Sequence, residues 1–156
     1  VSKHLRWLSR GLVAMVVALG VSSGCAVSEG DLSGSLGEFY TLHADEVRAR
    51  LYDSELSIEY IKAVTGEVSV RVTVTRSAQD PSGPATVNLA EAGNVSGSSE
   101  GNLIPDFKTG TLRLDAYAPT SGSEISGDFD ITFDVGDTEV ALNGTFDTVL
   151  EVVSFF

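Results

Sequence analysis

The stretch Val68-Ser69-Val70-Arg71-Val72-Thr73-Val74-Thr75 alternates valine with a polar residue throughout. In an extended chain successive side chains point to opposite faces, so this order sets four valines on one side and Ser69, Arg71, Thr73 and Thr75 on the other. A helix would scatter the same valines around its axis. The stretch is therefore read as a β-strand with one face in a core and the other in water.

The same period of two recurs on both sides of it. It is present at Val47, Ala49 and Leu51; at Leu56, Ile58 and Tyr60; at Val87 and Leu89; and at Leu112, Leu114 and Ala116. It closes with Phe129, Ile131 and Phe133, then Val140, Leu142 and Phe146. Turn formers lie between the runs: Asp53-Ser54, Thr65-Gly66, Asp80 through Pro84, Pro119 through Gly122, and Val135-Gly136-Asp137. Short connections make neighbouring strands antiparallel. The expected fold is all-β, an antiparallel meander of roughly eight strands forming a sandwich or half-barrel. Gly93 through Thr109, rich in Gly and Ser, is expected to be a long, mobile loop with at most one short strand.

The formal charge of the chain is -12. Lys3, Arg6 and Arg10 precede Cys25 and no acid does, so the part from Cys25 onward carries -12 - 3 = -15. Such a field opposes contact with nucleic-acid phosphates, and no nucleic-acid partner is expected. Cys25 is the single cysteine, which excludes an intramolecular disulfide, a CxxC redox pair or a thiolate metal cage.

What precedes Cys25 has the three parts of an export signal. Basic Lys3, Arg6 and Arg10 come first, then an apolar run from Leu12 to Val21, then small Ser22, Ser23 and Gly24. The run is shorter than the roughly 20 residues that span a bilayer. Val21-Ser22-Ser23-Gly24-Cys25 resembles the cleavage motif of bacterial lipoproteins, relaxed in that Ser22 stands where the family prefers Leu. The resemblance implies cleavage before Cys25, a diacylglycerol on its sulfur and an acyl chain, such as palmitate, on its amine. The motif marks off a signal peptide (1-24). From Ala26 to Gly37 the chain is Ser, Gly and acid with scattered apolar residues, which reads as a flexible tether on the lipid-bearing Cys25 (25-37), followed by a β-domain (38-156). Ala26 in place of Asp, which resembles an inner-membrane retention signal, points to the outer rather than the inner membrane.

The last third of the chain carries an echo, Gly127-Asp128-Phe129 and Gly144-Thr145-Phe146, and resembles uncharacterised Gram-negative envelope lipoproteins that finish in such a β-hairpin. With a turn at Gly136 the two glycines fall close to each other on the apolar face. An aromatic ring such as Tyr60 or Tyr117 is expected to fill the space they leave.

Asp128, Asp130 and Asp134 lie on the polar face of one arm, near Asp137, Glu139 and Asp147. They are weak candidates for Ca²⁺, because a strand spaces its carboxylates about 6 to 7 Å apart instead of wrapping them round an ion. No metal or other cofactor is expected. Arg48, Arg50 and Arg71 are expected to pair with Glu46 or Glu59 across strands. His43 is the one imidazole after Cys25, and no nucleophile motif accompanies it, so catalytic residues are not assigned and an enzyme is not expected. The functional expectation is a lipid-anchored, noncatalytic binding or structural module of the cell envelope, touching the membrane through its anchor, with a protein or small-molecule partner. Two alternatives make different demands on the structure. A barrel carrying an apolar ligand needs a cavity lined by Tyr60, Phe129 and Phe133, and a hydrolase needs two carboxylates about 5 to 10 Å apart in a cleft.

Overall fold

The computed structural model describes residues 28–154. The signal segment and Cys25 lie outside the described residues. The chain is all-β. Its strands are β1 (Glu29–Ser33), β2 (Glu46–Leu51), β3 (Glu55–Lys62), β4 (Glu67–Thr75), β5 (Ala85–Asn88), β6 (Gly93–Ser96), β7 (Ser98–Ser99), β8 (Asn102–Leu103), β9 (Phe107–Ala116), β10 (Glu124–Val135) and β11 (Thr138–Val152). One short helix, α1 (Leu89–Ala92), and a 3-10 turn at Ser35–Glu38 complete the described elements.

Two three-stranded meanders, β2-β3-β4 and β9-β10-β11, form most of one sheet, in the order β5-β9-β10-β11-β2-β3-β4-β6. Short turns dictate the antiparallel pairing within each meander. At the β10–β11 hairpin the loop is Gly136-Asp137, and Gly136 has the positive φ (62°) that two-residue hairpin loops require. Where the meanders meet, the pairing is parallel, Leu150–Val152 beside Ala49–Leu51. The expected antiparallel meander thus holds within each half, and this one junction is parallel. These two strands lie far apart in the chain, so no short connection dictates their direction.

The sheet begins earlier than expected. Residues 29–33, read as part of a flexible tether, form β1, which pairs antiparallel with Asn143–Asp147 on the same edge of β11 that β2 occupies further along. Ser28 fastens its start, its hydroxyl donating to the Val47 carbonyl and accepting from the Val47 N–H. The composition that suggested looseness serves close packing. A Cβ at Gly30 would lie 2.1 Å from a Val47 methyl, and one at Gly34 would lie 2.3 Å from the Ala141 carbonyl oxygen. Residues 93–109 also depart from expectation: β6 pairs with β4, β7 with β8, and β9 already starts at Phe107.

The two ends of the strand order, β5 and β6, are joined by α1 alone, which brings the sheet edges round into a nearly closed barrel. Of the two expected forms, the half-barrel is the nearer. Leu89, expected in the strand with Val87, belongs to this helix. Asn88 stops the strand by accepting the Ala90 N–H at 3.1 Å, a helix N-cap. Leu89 is buried and wedged at the seam, because a Cβ on Gly93 or Gly110 would stand 2.7 or 2.8 Å from its methyls.

The interior is solid. Val70, Val72 and Val74 of the opening stretch meet Leu56, Ile58 and Tyr60 across β3 and share the core with Leu112, Leu114, Phe129, Ile131, Phe133 and Leu142. The expected filling of the glycine gaps holds in kind, with different rings. Gly127 pairs with Phe146, and Gly144 with Phe129, so each glycine receives the ring opposite it. Tyr60 packs edge-on against Phe129, with centroids 5.8 Å apart, and its hydroxyl donates to the Thr145 carbonyl at 2.6 Å. Tyr117 lies elsewhere, beneath the Arg76 guanidinium.

Candidate functional site

On a half-wet sheet the outward positions of β3 should face solvent. Ser57 and Glu59 do not: they are 1% and 3% exposed. The register explains their cover. Arg50 stands opposite Ser57 on β2, and Glu59 is flanked by Arg48 on β2 and Arg71 on β4. Long side chains from both neighbouring strands lie over the short central row, as guanidinium stems do on a pleated surface.

Arg71 donates its Nε–H to Glu59 Oε1 at 3.0 Å, and its Nη2 lies 2.9 Å from the same oxygen. Arg50 approaches Oε2 at 3.5 Å while its Nε donates to Glu151 at 3.0 Å. Partial burial alone would lower the Arg50 pKa, but hydrogen bonds to Glu151 and Tyr52 and the charge of Glu59 outweigh it, and the pKa is raised. The guanidinium stays charged. The expected pairing of Arg50 and Arg71 with Glu59 is present, and Arg48 pairs with Glu46 at 3.1 Å.

Between these side chains lies a cleft of about 230 Å³, lined by Arg50, Tyr52, Glu55, Ser57, Glu59 and Arg71. The Ser57 hydroxyl is buried and makes no hydrogen bond among the described residues. An unpartnered buried hydroxyl costs about 1 to 3 kcal/mol, so its place against a cleft marks a position where a visiting polar group would be welcome. Sequence reading passed over Ser57 because a serine at an outward strand position is unremarkable. The available signal was the pair of arginines at flanking cross-strand positions.

The acidic candidates fall into two ion-pair groups. Arg113 binds Asp128 at 2.7 Å and Asp130 at 2.6 Å, and Lys108 binds Asp134 at 3.1 Å and Glu139 at 2.9 Å. Among the described residues no group of three or more His, Cys, Asp or Glu side chains is arranged to hold a metal ion. His43 is exposed and lies 3.2 Å from Asp45. A wider hollow of about 320 Å³ runs along β1 and β11, and its ionisable lining is all acidic: Glu29, Asp31 and Asp147. Tyr60, Phe129 and Phe133, the lining required of an apolar carrier, are fully buried in the packed core.

No family model matches the chain, and no curated protein or solved structure does either.

Proposed function

We propose that this chain is a lipid-anchored protein of the bacterial cell envelope, held at the outer membrane through Cys25, whose barrel binds a partner on its outer face without catalysing a reaction. The observation that carries the binding reading is the cleft over β3, where charged side chains from three strands surround an unsatisfied hydroxyl. The packed interior weighs against the carrier alternative. Glu55 and Glu59, four residues apart on one strand, have backbones separated by roughly 13 Å, and Glu59 is held by two arginines. Both facts weigh against a pair of cooperating carboxylates in this cleft.

The anchor reading rests on the motif ending at Cys25. Since β1 starts at Glu29, four Cα steps separate it from the lipidated residue, a reach of roughly 14 Å at full extension. The barrel is thereby kept close to the bilayer, and several acyl chains make that attachment stable where one would not.

The test is mass measurement and fractionation of the protein from a bacterial host, comparing wild type with Cys25→Ser. The expected result is a wild-type chain that begins at Cys25, carries added acyl mass and sediments with membranes, and a variant without that mass in the soluble fraction. Identical masses and fractionation for the two would reject the anchor.

A further inference from the structure

We propose that the cleft over β3 binds one ring of a neutral, hydroxyl-rich ligand, a saccharide unit, a specificity that rests on the reading of this cleft as the binding surface.

The charges argue for neutrality. Arg50 and Arg71 contribute two positive charges around the cleft, and Glu55, Glu59 and Glu151 contribute three negative ones, so no surplus cation is left to hold an anion. The acidic domain repels anions at longer range as well. A cationic ligand would find Glu59, the central carboxylate, already held by both guanidiniums.

The cleft is rich in groups that hydrogen-bond. Guanidinium N–H groups donate, carboxylate oxygens accept, and the Ser57 and Tyr52 hydroxyls do both. A sugar hydroxyl also donates and accepts, so a ring carrying several of them matches such an interleaved set. The Ser57 hydroxyl, unsatisfied and covered by the flanking side chains, gains a partner where an entering ring displaces that cover. Tyr52 supplies an aromatic surface against which the C–H face of a pyranose can lie. A volume of about 230 Å³ falls below the range of roughly 300 to 1,000 Å³ typical of larger ligands, which limits the occupant to a single ring.

The experiment follows the arginine Nε–H resonances of the full chain, kept in a detergent without a sugar headgroup. Glucose, galactose, mannose and N-acetylglucosamine are titrated as neutral probes, with glucuronate and glucosamine as charged ones. The proposal expects a neutral sugar to shift the Arg50 and Arg71 signals saturably and more tightly than either charged probe. Ser57→Ala should weaken that binding about three- to tenfold, the loss of one hydrogen bond, while leaving the melting temperature equal or higher because an unsatisfied group has been removed. A melting temperature that rises with binding unchanged would overturn the role of Ser57. No shift with any neutral sugar, or tighter binding of glucuronate or glucosamine, would overturn the ligand class. In the latter case the cleft would still stand as a binding surface, and in neither case is the lipid anchor affected.

Discussion

At the residue scale the barrel depends on what glycine lacks. A Cβ at Gly144 would lie 2.3 to 3.0 Å from three atoms of the Phe129 ring. That ring is held by the Tyr60 edge and cannot easily give way. Gly144→Ala is therefore expected to destabilise by about 1 to 3 kcal/mol through overpacking, read as a lower denaturant midpoint, and Gly144→Ala with Phe129→Leu should recover part of it. An unchanged midpoint for the single variant would contradict this packing. The sequence echo of two glycines and two phenylalanines made a filled gap legible. Which ring fills it was not, because that depends on a cross-strand register that one residue of slip would alter.

Three tyrosines give the barrel an alkaline limit. Burial first, then the Glu67 charge, pushes the Tyr40 hydroxyl from 10.0 up to about 12. Burial also raises Tyr60, with Asp31 adding to it, and raises Tyr117 against the opposing Arg76 charge. Between about 10 and about 12 the unfolded chain has released the Tyr40 proton and the folded one retains it. The folded state then binds more protons, so stability is complete below the lower value and is lost as pH rises. Phenolate absorbance and the β-sheet circular dichroism signal, followed together, should show these three ionising with loss of the sheet. Their ionisation near 10 with the sheet intact would contradict the burial described.

At the scale of elements, β4 was legible because alternation is a local signal and its valines need only one apolar face. β1 was not. Glu29-Gly30-Asp31-Leu32-Ser33 has little intrinsic strand preference, and its conformation is imposed by the free edge of β11 and by the close approach that Gly30 allows. The α1 seam escaped notice for a similar reason. Leu89 continues the alternation of Val87, and nothing local announces that the chain turns at Asn88 to bridge two sheet edges. Leu89→Ala should cost about 2 to 5 kcal/mol, and the amides of β5 and β6 should exchange with solvent well before those of β10 and β11. Equal acceleration across all strands would mean that Leu89 is an ordinary core residue and not the closure of the barrel.

At the scale of the whole molecule, the alternating strands dictate both a core and a polar exterior, and their lengths and turns made a curled sheet legible. The candidate site was legible only in its parts. The Arg–Glu pairings could be anticipated, whereas the cleft they create arises from three strands lying in one register, and the burial of Ser57 arises from what its neighbours cover. A solid interior moves any ligand contact to the outside, and this is the claim on which the functional account rests. Its most direct test is titration with a long-chain fatty acid, observed at the ring resonances of Tyr60, Phe129 and Phe133. The account predicts that these signals do not change up to the solubility limit of the fatty acid. Saturable, stoichiometric shifts of the three rings would contradict it and establish an apolar carrier.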